Sequence, residues 1–160
     1  MEAAWALSNL SSGTTEQTRQ VVENGAIPAL IKLLKSPNKD GRAQAIWTLG
    51  NIAGDNVNFR DQVIQEGIMG PLIKTMDEAL NGGDQPMINH GTWTLSNLCR
   101  GKPSPNFNDM KDALPVFVRV IMSQENVDVL IDALWALSYL SDGPEERVQK
   151  VLDTDVTLYC

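Results

Sequence analysis

The sequence predicts an all-α solenoid built from three-helix units of about 42 residues. Three observations carry this. All four tryptophans lie in near-copies of one phrase: AAWALSN at 3–9, AIWTLGN at 45–51, GTWTLSN at 91–97 and ALWALSY at 133–139. Successive tryptophans are 42, 46 and 42 residues apart, a spacing that belongs to stacked helical repeats. Strand-like alternation of apolar and polar residues is absent throughout, so no sheet is expected.

The elements follow in order. Residues 1–12 read as the end of a unit, closed by SSGT. A full unit spans 13–54. Its short first helix covers roughly 16–23 and stops at Gly25, because glycine tolerates the left-handed cap conformation. A second helix begins near Pro28, which suits a first turn, and runs through ALIKLL. KSPNKDG breaks the pattern with proline and glycine. A longer third helix, roughly 42–53, carries the tryptophan phrase and ends in AGDN. The next unit, 55–100, repeats the scheme, since VIQEGIMGPLIKTM parallels VVENGAIPALIKLL. Gly67 lies 20 residues after Trp47, as Gly25 lies 20 after Trp5. Its four extra residues are expected in a loop, LNGGDQPMINHG, where a solenoid accepts insertions. CRGKPSPN closes it. A third unit, 101–142, holds the looser copy MKDALPVFVRVIM, without the glycine, and closes in SDGP. Residues 143–160 read as a partial unit with Asp155 at the glycine position. No polar capping repeat is visible at either end, so the chain is expected to be an excised segment of a longer array.

Composition narrows the function. With 160 residues and 42% hydrophobic content, a core is possible and disorder is not expected. A net charge of −7 argues against nucleic acid, which calls for a basic face, and suits a basic partner. Cys99 and Cys160 lack metal-ligand spacing, so reduced thiols and no metal or cofactor are expected. There is no glycine-rich phosphate loop, no nucleophile phrase and one histidine, so an enzyme is not expected. No apolar run approaches a membrane span and the N-terminus has no basic leader. The chain therefore reads as soluble and intracellular.

The repeated phrase is itself informative. Residues i and i+4 share a helix face, so Trp5 and Asn9, Trp47 and Asn51, and Trp93 and Asn97 project side by side. Leu7, Leu49, Leu95 and Leu137 point elsewhere, toward a core. Stacked units then form a ladder of indoles beside a ladder of carboxamides. Two readings stand. The tryptophans are core and the asparagines stitch one unit's backbone to the next, or the ladder clamps an extended peptide. Asparagine has both a donor and acceptors for a peptide backbone. Indole faces suit the long apolar stems and cationic heads of Lys and Arg, at ~0.5–2 kcal/mol per contact. Asp55 and Asp132 share faces with this ladder and could complete the match. Otherwise Asp55 caps the following helix and Asp132 is a solvated charge.

The phrases EAAWALSNLSSGTTEQT, QAIWTLGNIAGD, GTWTLSNLCRGK and DALWALSYLSDGP resemble the successive armadillo repeats of the importin-α (karyopherin-α) family, its second to fifth. The resemblance covers essentially the whole chain. It implies a right-handed armadillo-repeat solenoid whose concave face binds basic nuclear localisation signals, antiparallel to the array. It implies that Asn9, Asn51 and Asn97 bond the peptide backbone, and that Trp5, Trp47, Trp93 and Trp135 sandwich its basic side chains. Gly13, Thr18 and Asp55 would form the pocket for a key lysine, with Asp55 as its ion-pair partner. Gln44 lines another Lys/Arg slot, Asp132 and Tyr139 extend the polar surface, and Arg100 tunes it. His90 stands where such proteins often carry another polar residue and is expected at the surface. Asp155 replaces the usual glycine. The implied protein is an adaptor shuttling between cytoplasm and nucleus, and importin-β would bind it through a segment this sequence lacks. Self-association through uncapped ends is also expected. The alternative is an armadillo scaffold for other protein partners.

Overall fold

The structure of the protein, a computed structural model, describes residues 2–154, with side chains from Trp5 onward. Asp155 and Cys160 lie outside the described residues. Every regular element among those described is helical. Helix α1 (Glu2–Ser11) is followed by α2 (Thr15–Glu23), α3 (Ala26–Leu33) and α4 (Lys39–Asp55). Then come α5 (Val57–Gln65), α6 (Met69–Gly82) and α7 (Gln85–Cys99). The third set is α8 (Phe107–Met110) with a 3-10 turn (Lys111–Ala113), α9 (Leu114–Ser123) and α10 (Val127–Ser141), and α11 (Glu145–Leu152) closes the described chain.

Local chemistry explains the boundaries. Thr14 caps α2 in a reciprocal box: its hydroxyl accepts from the Gln17 amide and the Gln17 side chain accepts from the Thr14 amide. Asn38, Asn56, Asn106 and Asn126 cap α4, α5, α8 and α10 through their side-chain oxygens. Gly25 and Gly67 take φ of 75° and 85°, the left-handed turn from which α3 and α6 start. The third unit has no glycine there, and the chain passes through the 3-10 turn instead.

The insertion ahead of Trp93 lengthens a helix rather than a loop. Helix α6 has 14 residues against 8 in α3. Leu72, Met76 and Ala79 are buried on one face of it, so apolar spacing carries the helix onward. Arg119 of the next unit reaches back to Asp77 at 2.6 Å and to Asn81 at 2.8 Å. The helix stops only at Gly83, with φ of 67°.

The helices that carry the tryptophan phrase pack in series, α1 on α4, α4 on α7 and α7 on α10. Leu49 and Leu95 are fully buried between layers, Leu137 is buried, and Leu7 packs against the same core. Ile46, Ile52, Leu72, Met76, Leu98 and Phe117 fill the rest. One long polar side chain lies within it. Arg60 of α5 is 1% exposed, donates to the carbonyls of Arg100 (2.7 Å) and Pro103 (2.8 Å), and pairs with Asp61. It ties the segment after α7 to the preceding unit.

Candidate functional site

The ladder is built by four successive parallel-packed helices, so residues about 42 apart in sequence become neighbours. Its tryptophans are not core. Trp5, Trp47 and Trp135 are 61%, 36% and 54% exposed, and Trp93 is half-buried. The indoles do not form equally open slots. Trp47 and Trp93 lie on each other, with ring centroids 4.6 Å apart and planes within 23°. A methylene chain between two rings needs about twice a ~3.5–4.0 Å contact, so this slot is closed as it stands. Gly50 is the reason the indoles approach so closely. A Cβ at Gly50 would collide with the six-membered ring of Trp93 and sit 2.5 Å from the Thr94 hydroxyl, which donates to the Ile46 carbonyl at 3.1 Å. The other rungs carry Ser8, Ser96 and Ser138 at that position. Among the described residues, Trp5 and Trp135 have no stacked indole partner.

The asparagines do stitch the backbone. Asn51 donates through Nδ2 to the Ser8 carbonyl at 3.4 Å, and Asn97 to the Gly50 carbonyl at 3.2 Å. Each acceptor is the residue just before the asparagine of the previous rung. This leaves Oδ1 of each amide for another donor. Asn97 is 7% exposed and Asn51 half-buried. Asn9 is exposed. At the fourth rung Tyr139 leans on Trp135, centroids 5.7 Å apart.

His90 departs from the surface position expected of it. It is half-buried, its ring lies 5.0 Å from that of Trp47, and its Nδ1 is shielded with no partner among the described residues. Burial pushes its pKa below the usual histidine value. The cause is its place one turn before Trp93 on α7, which aims it at the rung formed by α4. Asp132 is half-buried too, and its carboxyl is pushed up chiefly by burial and then by the charge of Asp128. Gln44 is half-buried one turn before Trp47.

A depression of about 260 Å³ gathers the rest. Gly13, Thr18, Asn51, Gly54, Asp55, Trp93, Asn97 and Arg100 line it, so its wall draws on three different helices, the loop between α1 and α2, and the residue that ends α7. Thr18 forms floor: it is buried, with its hydroxyl 3.4 Å from the carbonyls of Ser11 and Thr14. Arg100 donates to the Gly54 carbonyl at 2.9 Å and so closes one rim. Asp55 does not cap α5, because Asn56 does. Its Oδ1 instead accepts from the Thr15 hydroxyl at 2.8 Å. Its Oδ2 is shielded from solvent and has no partner among the described residues. Thr15 was not legible from the sequence, since nothing local links it to a carboxylate 40 residues on. Cys99, behind the wall, is buried with its thiol pushed up by burial, an effect only partly offset by Arg60, so it is a neutral packing group. Among the described residues no group of three metal-ligating side chains occurs, and no helix is long and apolar enough to cross a membrane.

The model of the armadillo/beta-catenin-like repeat matches residues 14–54 and 109–142. Importin subunit alpha-B of Dictyostelium discoideum is 58% identical over 155 residues, 97% of this chain and 30% of its own length. Importin subunit alpha-1b of Oryza sativa subsp. japonica is 50% identical over 155 residues, 97% of this chain and 28% of its own. The chain thus spans less than a third of these relatives. A designed armadillo repeat protein in complex with the peptide (KR)4 superimposes with a TM-score of 0.83 at 28% identity, covering 95% of this chain and 62% of that one. A period set by tryptophan, helices packed in threes, and an alignment running through 97% of the residues converge: the chain is folded like an armadillo array and is similar along its length to a segment of the importin subunits alpha.

Proposed function

We propose that the tryptophan–asparagine face binds Lys/Arg-rich nuclear localisation signals, as the cargo-capturing segment of a non-enzymatic import adaptor that shuttles between cytoplasm and nucleus. The observation that carries this is Asp55. A carboxylate oxygen shielded without a partner is costly, and Asp55 belongs to the depression that Trp93 also lines. A lysine ammonium is the group that relieves it. The free Oδ1 atoms of Asn51 and Asn97 accept from the peptide's amides, and Trp5 and Trp135 receive further basic stems. The relatives named importin subunit alpha support the adaptor role, and the designed relative's complex with (KR)4 supports the ligand class. Importin-β engages the adaptor through a segment outside this sequence.

A fluorescence-anisotropy titration with labelled PKKKRKV tests the proposal. Saturable binding at micromolar or tighter Kd is expected at low salt, with Asp55→Lys weakening it by at least about tenfold. Absence of saturable binding at low salt would overturn it.

A further inference from the structure

Away from the ladder, the junction between the units 13–54 and 55–100 carries a groove of the opposite sign. It has a volume of about 540 Å³ and opens between the loop that follows α3 and helix α6. Leu34, Lys35, Arg42, Pro71, Lys74 and Glu78 are on its wall, and no residue that lines it also lines the Asp55 depression. We propose that this groove docks an acidic segment of a partner protein, whose carboxylates supply the anion that the sequence omits between Lys35 and Lys74.

The repeat makes the omission visible. Lys35 lies ten residues after Gly25, and Asp77 lies ten after Gly67. Lys74 lies two residues beyond the buried Leu72 of α6, and Arg119 two beyond the buried Phe117 of α9. The same two positions therefore recur at successive junctions. At the later junction they hold Asp77 and Arg119, which pair at 2.6 Å, while Asn81 accepts from the same guanidinium at 2.8 Å. At the earlier junction they hold Lys35 and Lys74, two cations on one groove. Neither lysine forms an ion pair among the described residues, and nor does Arg42. Like charges on a shared recess repel, and an anion between them reverses the sign of the interaction.

Arg42 adds a cation that is fixed in place. Its Nη1 donates to the Ser36 carbonyl at 2.8 Å and ties the guanidinium to the loop. Its Nε is shielded from solvent without a partner, so Arg42 acts on the groove through its charge and not through that atom. Lys39, farther along α4, is instead neutralised by Asp84 at 2.9 Å. Glu78 is the one carboxylate on the groove wall, against three cations. The surplus is positive in a chain whose net charge is −7.

The shape of the groove selects the class of partner. Leu34 and Pro71 give it an apolar side, which suits a protein segment that mixes carboxylates with an apolar residue. Lys35 and Lys74 are exposed on either side, so their flexible stems can close on a carboxylate that projects into the recess. A bilayer or a nucleic acid presents its phosphates over a broad surface and meets the repulsion of the whole acidic chain.

Fluorescence anisotropy with the labelled peptide EEDFEED tests this on the chain as it stands. Saturable binding is expected at low salt, weakening as salt rises. The amide counterpart QQNFQQN is not expected to bind. The Lys35→Gln/Lys74→Gln double variant is expected to lose about fivefold or more in affinity. Lys35→Asp, which copies the Asp77 side of the later junction, is expected to abolish binding. Lys32→Gln/Lys111→Gln removes the same charge from two exposed lysines outside the groove and is expected to stay near wild type. Circular dichroism verifies that each variant is folded. Absence of saturable EEDFEED binding at low salt would overturn the proposal. Equal losses in the two double variants would overturn it too, by reducing the effect to net charge. A single-stranded DNA oligomer and phosphatidylserine vesicles are titrated in parallel. Tighter binding of either than of the peptide, lost in Lys35→Gln/Lys74→Gln, would overturn the assignment of a protein partner. None of these outcomes depends on what the tryptophan–asparagine face binds.

Discussion

Asp55 and His90 show how much a single side chain's neighbours alter its chemistry. From sequence, Asp55 was equally a helix cap or a lysine partner. Asn56 settles the first possibility by capping α5 itself, and Thr15 holds one Asp55 oxygen from 40 residues away. His90 turns from an expected surface residue into a half-buried brace on Trp47. Its pKa is lowered by burial, so the unfolded chain takes up the proton more readily than the folded one. The stability tied to its neutral form is therefore present above the unfolded value of about 6.5 and is lost as pH falls through the lower folded value. Thermal melts from pH 7.5 to 5.0 are expected to show a steeper fall in Tm for the wild-type chain than for His90→Asn. Parallel falls in the two proteins would remove His90 from that role.

At the scale of elements, the third helices are more than a display surface. Asn51 and Asn97 each bond the backbone of the preceding rung, so the ladder has a structural use beside the binding use proposed for it. The buried Asn97 is expected to show both when removed. Asn97→Ala removes a side-chain bond from a buried helix–helix contact and should destabilise the chain by about 0.5–1.5 kcal/mol in urea unfolding, while also weakening peptide binding. The exposed Asn9 has no such bond among those described, and Asn9→Ala should leave stability within ~0.5 kcal/mol. A stability loss in Asn9→Ala as large as in Asn97→Ala would contradict the division. The closed Trp47–Trp93 contact belongs to this scale as well. It depends on Gly50, and under the proposed binding mode it would direct basic side chains first to Trp5, to Trp135 and to the Asp55 depression, the central slot being closed while the indoles stack.

For the whole molecule, net charge and repetition act together. A chain of −7 attracts a basic peptide over distances of about a Debye length, ~10 Å at 0.1 M salt. Raising salt from 50 to 500 mM is expected to weaken PKKKRKV binding progressively, chiefly by slowing association, as stopped-flow traces would show. An acidic peptide of equal length should not bind the tryptophan–asparagine face at either salt. Salt-independent affinity would point to indole packing alone. The fourth rung differs from the others: the Asp132 carboxyl is pushed up by burial and then by Asp128, and Tyr139 replaces asparagine there.

Read alone, the amino-acid sequence determined the helical class, the period and the boundaries of most helices, because these rest on local signals. Gly25 and Gly67 mark left-handed turns, the leucines of the tryptophan phrase mark the core side, and the spacing of Trp5, Trp47, Trp93 and Trp135 sets the repeat. It also determined which side chains share the ladder face, since i and i+4 coincide on any α-helix. Tertiary structure alone decided how successive rungs meet. The stacking of Trp47 on Trp93, the bonds from Asn51 to Ser8 and from Asn97 to Gly50, the bracing by His90 and the hold of Thr15 on Asp55 all join residues about 40–47 apart. Those contacts depend on the rotation and spacing of neighbouring helices, which packing sets to within an ångström and which no local pattern encodes.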